Sequence, residues 1–268
     1  MALVGRLWRR WRRLVLLLFL GGTVFVALPL AYGAWTSYGE WSGTSDARHE
    51  RRGGTGQAPD PATTREAVVQ VYAARAARWR GAFASHTWLA VKPRDAEQYT
   101  RYEVWGWRHG ERGGNTVRAI AGRADHYWFG YRPERLVDLR GAEAELAIRQ
   151  LTRAIADYPA AKRYRIWPGP NSNTFVAHMG RRAPALRLDL PAHAIGKDFL
   201  ADGGIFARAP SGTGWQLSLF GLFGILVALE EGIEVNLFSL NYGVDFQPPA
   251  LRLPALGRLG WPPAAADG

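Results

Sequence analysis

From Leu14 to Trp35 the chain reads LVLLLFLGGTVFVALPLAYGAW, 22 residues without a charge. As a helix this stretch is about 33 Å long, and a hydrocarbon core of about 30 Å is the environment it suits. Five arginines precede it (Arg6, Arg9, Arg10, Arg12 and Arg13) with no acidic residue among them. The positive-inside rule keeps that end in the cytoplasm and sends the remainder across. Trp8, Trp11, Tyr32 and Trp35 stand where aromatic rings favour the two bilayer interfaces. A cleaved signal peptide is the competing reading, because Ala31 and Gly33 are small residues at the spacing a signal peptidase inspects. Both readings export the C-terminal bulk of the chain.

The expected organisation is a basic cytoplasmic end (1–13), a transmembrane helix (14–35), a flexible linker (36–62), a globular domain (63–257) and a Pro/Ala-rich tail (258–268). The linker TSYGEWSGTSDARHERRGGTGQAPDPA lacks a sustained apolar period. Val68 to Ala73, Phe83 to Val91, Tyr99 to Trp107 and Arg163 to Trp167 have strand character. Ala144, Ala147, Ile148, Leu151 and Ile155 recur at helical spacing, so 142–158 is read as a helix that Pro159 stops, and a second, short helix comes after it, from about 173 to 182. The mixture predicts an α+β domain with a small antiparallel sheet and helices on one side. Leu217 to Leu229 is expected to be a helix buried in the core; a helix lying on a membrane face and a second span are the alternatives. The Pro-rich stretch after Gln247 is expected to wrap the domain or remain disordered.

Composition removes several functions. The chain has no cysteine, so disulfides, thiolate metal sites and a cysteine nucleophile are excluded. Beyond the leading arginines, 29 basic side chains face 23 acidic ones without forming a stripe, which argues against nucleic acid as a partner and suits an anionic lipid or cell-wall surface. The six histidines show no metal-ligand spacing, and the glycines at 203, 204, 212 and 214 form no phosphate cradle; no metal and no cofactor are expected. Glu230, Glu231 and Glu234 read as the solvated boundary of an apolar run. His193, Lys197 and Asp198 lie in a stretch read as a loop with no assignable mechanism.

Two segments carry candidate chemistry. His86 lies within the strand FASHTWLAV, and Asn171, Ser172, Asn173 and Thr174 open a helix after a rigid Pro-Gly-Pro turn. A nucleophile at a helix N-terminus has free backbone N–H groups for a developing oxyanion, and a histidine on a neighbouring strand takes its proton. With Ser172 as nucleophile and His86 as base, Glu103 in the adjacent strand is the candidate to orient the imidazole. His109 and His126 are the weaker alternatives, and Asn171, Asn173 and Thr174 would bind ligand. The competing reading makes Asn171 to Asn173 a helix cap and nothing more.

The order of His86, strand, helix and Asn171-Ser172-Asn173-Thr174-Phe175 resembles the circularly permuted papain-like fold of the NlpC type, which includes cell-wall amidases and lipid acyltransferases. That family's nucleophile is a cysteine, and Ser172 stands in its place. From about Val68 to Gly257, with HTWLAVK, GPNSNTF, LPAHAIGKD and EGIEVN, the chain also resembles an uncharacterised family of bacterial membrane-anchored proteins with a domain of unknown function. The expectation is therefore a single-pass protein of the bacterial inner (cytoplasmic) membrane, held in the bilayer by residues 14–35, with its C-terminal domain in the periplasm. Its activity would be that of an amide or ester hydrolase or acyltransferase on a cell-wall or lipid ligand. The alternatives are a non-catalytic envelope binding module and a membrane-associated scaffold.

Overall fold

The computed structural model describes residues 2–41, 53–106 and 114–261. The first helix, α1 (Ala2–Trp41), is long and apolar enough to cross a membrane over Arg10–Trp35. The helix runs on past Trp35, so the first residues assigned to the linker are helical. Among its described side chains Leu16, Leu17, Leu20, Val24 and Leu28 face outward, but Pro29 and Gly33 are buried. At Gly33 the helix lies so close to the carbonyl of Ala82 and the side chain of Ala255 that even a methyl group would collide with both. The C-terminal part of α1 therefore leans on the folded domain.

The first sheet has five antiparallel strands: β1 (Val68–Arg75), β2 (Ser85–Lys92), β3 (Tyr99–Val104), β4 (Val117–Gly122) and β5 (Glu134–Arg140), in the order β4-β3-β2-β1-β5. β1 and β2 are buried on both faces, which explains their nearly continuous apolar and aromatic sequences. On one face Val69, Val71 and Leu89 meet Ala144, Ala147 and Leu151 of α2 (Gly141–Ala156) and Phe175 and Met179 of α3 (Ser172–Arg182). On the other, Val68, Tyr72, Trp88 and Tyr99 pack with Ala124 and Trp128 under Ala58. Part of the expected linker belongs to this second layer. The Asp125 carboxylate accepts the backbone N–H groups of Thr55 (2.9 Å) and Gln57 (2.7 Å), so the chain is already fixed there, whereas 42–52 lie outside the described residues.

The segment expected to be a strand at 163–167 is not one. Arg165 N–H bonds back to the Pro170 carbonyl across a bend, and the next two prolines, Pro168 and Pro170, have no N–H to offer a ladder.

The larger departure lies after residue 205. Leu217 to Leu229 is not a helix. It forms two strands of a seven-stranded antiparallel meander: β6 (Phe206–Arg208), β7 (Gly214–Leu219), β8 (Phe223–Ala228), β9 (Gly232–Leu237), β10 (Leu240–Phe246), β11 (Pro249–Leu253) and β12 (Gly257–Gly260). Phe220 (φ 55°) and Gly221 (φ 73°) break the run with a left-handed turn that no helix contains. The stretch after Gln247, expected to wrap or to be disordered, supplies β11 and β12. Residues 262–268 of the expected tail lie outside the described residues.

Candidate functional site

Strand alternation decides which of the candidate residues meet. Along β2, Thr87 and Leu89 point toward α2 and α3, and His86 and Trp88 point to the opposite face. Along β3, Glu103 shares the face of His86. The structure thus brings His86 and Glu103 together and places Ser172, at the start of α3, on the far side of the sheet.

On the His86 face the imidazole stacks on Trp128 with ring centroids 3.7 Å apart and planes 11° from parallel. Its Nε2 lies 3.8 Å from Glu103 Oε2, an ion-pair separation longer than a hydrogen bond. Glu103 is fully buried. It accepts hydrogen bonds from Arg101 Nε (2.7 Å) and from the Trp105 indole N–H (2.9 Å), and His126 Nε2 stands 3.7 Å away. Burial alone would raise the Glu103 carboxyl, but the neighbouring imidazoles of His86 and His126 and the hydrogen bond from the Trp105 indole pull it down to about 2. His126 is itself held down to about 4, by burial first and then by Arg101. At neutral pH it is therefore uncharged, and the guanidinium of Arg101 is the permanent charge facing Glu103. The cluster is a carboxylate enclosed by aromatic rings and held by an arginine.

On the α3 side every predicted ligand-binding residue is engaged within the fold. Asn171 is the helix N-cap: its Oδ1 accepts the backbone N–H of Asn173 (3.0 Å) and Thr174 (3.1 Å), and its Nδ2 donates to the carbonyls of Ile166 and Ile195. Thr174 Oγ1 closes the capping box, accepting the Asn171 N–H and donating to the Gly196 carbonyl at 2.7 Å. Asn173 Nδ2 donates to Ser85 and Ile195 carbonyls, and its Oδ1 accepts from Thr87. Ser172 is buried, with its carbonyl near Thr87 Oγ1 at 3.4 Å. Asn171 thus already occupies the two N–H groups that would otherwise offer an oxyanion site. Of the alternative histidines, His126 joins the Glu103 cluster and His109 lies outside the described residues.

The stretch read as a loop around His193, Lys197 and Asp198 turns out to join a charged core that sequence reasoning missed. Glu234 and Lys197, both buried, are ion-paired, and Arg252 Nε reaches Glu234 Oε1 at 2.7 Å. Arg252 also forks onto Asp189 at 2.5 and 2.7 Å and meets Asp245 at 3.2 Å. Gln216 Nε2 donates to Asp198 at 2.6 Å. Glu231 and Glu234 are accordingly buried, not a solvated boundary. Burial raises the Glu231 carboxyl to about 7 despite hydrogen bonds from the Ser211 hydroxyl and N–H. The missed signal was the period of two in WQLSL and IEVNL, where each polar residue sits between apolar ones. Among the described residues no group of three or more His, Asp or Glu side chains is arranged to hold a metal ion.

Residues 66–199, half of the chain, match the family described as Protein of unknown function (DUF3750), and the chain belongs to that family. The match covers the first sheet, α2, α3 and the charged loop; the meander lies after it. Comparison with curated proteins and with solved structures gave no match.

Proposed function

We propose that this chain is a membrane-anchored, non-catalytic module of the bacterial cell envelope, with its folded part on the periplasmic side. One observation carries the non-catalytic reading: the candidate nucleophile and the candidate base lie on opposite faces of a sheet, and a strand that presents Thr87 to α3 must present His86 away from it. A proton relay needs its members within hydrogen-bond reach, and a sheet stands between these. The hydrolase or acyltransferase reading would require Ser172 to act without His86 and with the N–H groups beside it already capped. The arginines before the span and the apolar length of α1 support the location.

A serine-reactive fluorophosphonate probe tests the first half: wild type and Ser172→Ala are expected to show the same background labelling. Labelling lost on that substitution would restore the enzyme reading. A C-terminal alkaline phosphatase fusion tests the second half and should be active; a silent fusion, with a cytoplasmic reporter active in its place, would overturn the periplasmic assignment.

A further inference from the structure

The meander is built inside out for a protein that meets only water. Its inward positions carry Gln216, Ser218, Glu234, Asn236, Asp245 and Arg252, each at most 3 % exposed. Its outward positions carry Leu217, Ile225, Val227, Val235, Val244 and Leu251, each at least 40 % exposed. From β7 through β12 no outward position has a charged side chain. The orientation is locked, because a slip of one residue would swap the faces and pull Glu234 and Arg252 out of the network that ties them to Lys197, Asp189 and Asp245. Seven strands span about 29 Å across, and six residues about 20 Å along. Soluble monomers rarely leave a contiguous apolar patch larger than a few hundred Å² uncovered.

The covering layer can be read from the chain itself. Successive turns of the meander alternate between two ends. One end carries Phe220, Phe238 and Ala255; the other carries Ser211, Thr213, Glu230 and Gln247, with the exposed Leu229 among them. Phe220 and Phe238 are 70 % and 61 % exposed, and Ala255 is the residue that touches Gly33 of the span. Gly33 stands between Tyr32 and Trp35 at the outer edge of the apolar run, so the apolar turns stand where the helix would leave the hydrocarbon. Trp215 and Trp261 lie toward the polar end, where indole rings favour the headgroup level, with Arg208 over the Trp215 ring at 4.2 Å. The sheet is therefore graded both across its faces and along its strands, in the sense a bilayer is graded.

We infer that the outward face of the meander seats against the lipid leaflet beside the outer end of α1, with its apolar turns nearest the hydrocarbon. This deepens the membrane-anchored reading and rests on α1 crossing the bilayer. The absence of native cysteine allows single labels to test it in the full-length protein. Nitroxides would be placed at Leu20→Cys in the span, Ile225→Cys on the outward face and Asp95→Cys on an exposed loop. Each would be read in phosphatidylethanolamine/phosphatidylglycerol proteoliposomes for collisions with oxygen and with a water-soluble nickel chelate. Position 225 is expected to behave like position 20, with oxygen strongly favoured, and unlike position 95. Nickel access at 225 equal to that at 95 would overturn the inference while leaving the anchor intact. Exclusion of both reagents at 225, with spin–spin broadening between copies, would overturn it in favour of a second copy of this chain. Nickel access at position 20 would remove the anchor itself, and the inference with it.

Discussion

In the first sheet, β1 and β2 bury Val69, Val71 and Leu89 under helices on one side and Tyr72 and Trp88 under loops on the other. In the meander, β7 to β11 bury Gln216, Glu234 and Arg252 and turn Leu217, Ile225 and Val235 outward. The two sheets share antiparallel pairing and a period of two, so secondary structure alone does not distinguish them. They differ in what holds them. Removal of apolar surface from water stabilises the first. The second is tied to the family domain by desolvated ion pairs, whose attraction must offset the cost of taking charges out of water, and its apolar surface is left for a different solvent.

The largest expected effect is on the meander's charged side. Glu234→Ala leaves Lys197 and Arg252 buried with one counter-charge fewer, and should destabilise the protein by about 3–5 kcal/mol in denaturant titrations in detergent. A loss no larger than that of an exposed substitution would mean the network does not hold the sheet. Next is a pair of truncations. Leu89→Ala should cost about 2–5 kcal/mol because it opens a cavity. Ile225→Ala should stay within about 0.5 kcal/mol because its side chain lies outside the protein. Equal costs would erase the distinction between the two sheets.

Acid titration should separate them further, because the two sheets respond with opposite sign. His126 is held at about 4 against an ordinary 6.5, so the folded state binds fewer protons and stability falls as pH drops from about 6.5 to about 4. Glu103, held at about 2 against 4.5, adds a further loss between about 4.5 and 2. Glu231 in the meander is raised to about 7 against 4.5, so its contribution is full below about 4.5 and declines as pH rises toward 7. The stability difference between wild type and Glu231→Gln should therefore change with pH chiefly between 4.5 and 7. A difference flat across that window would contradict the buried, raised carboxyl.

The smallest effects concern α3. Asn171→Ala should cost about 1 kcal/mol or more, because a cap and its further hydrogen bonds are lost. Ser172→Ala should cost less than that, because it removes one hydroxyl and none of the cap's hydrogen bonds. A larger penalty at Ser172 than at Asn171 would reverse the reading of this helix start.

Legibility in the sequence divides along the same line. α1 was legible from its unbroken uncharged run, and β1, β2, α2 and α3 because apolar residues recur along each element and their faces meet the protein core. The Asn171 cap was legible as one of two readings. The pairing of His86 with Glu103 was legible from neighbouring strands, but the direction of His86 relative to Ser172 was not, because it depends on which face α3 covers. The meander was misread because LSLFGLFGILVAL lacks charge and so resembles a buried helix; the turn at Phe220-Gly221 and the polar residues between apolar ones were outweighed by its hydrophobicity. Reading apolar residues as the inside fails where the outside is lipid.

The most direct test is photolabelling of the full-length protein in vesicles with a phospholipid bearing a diazirine deep in its acyl chain, with the adducts then mapped by mass spectrometry. The account predicts adducts on outward residues of the meander such as Leu217, Ile225 and Leu251, in addition to those within Arg10–Trp35. Adducts confined to α1, with the meander unlabelled, would contradict it.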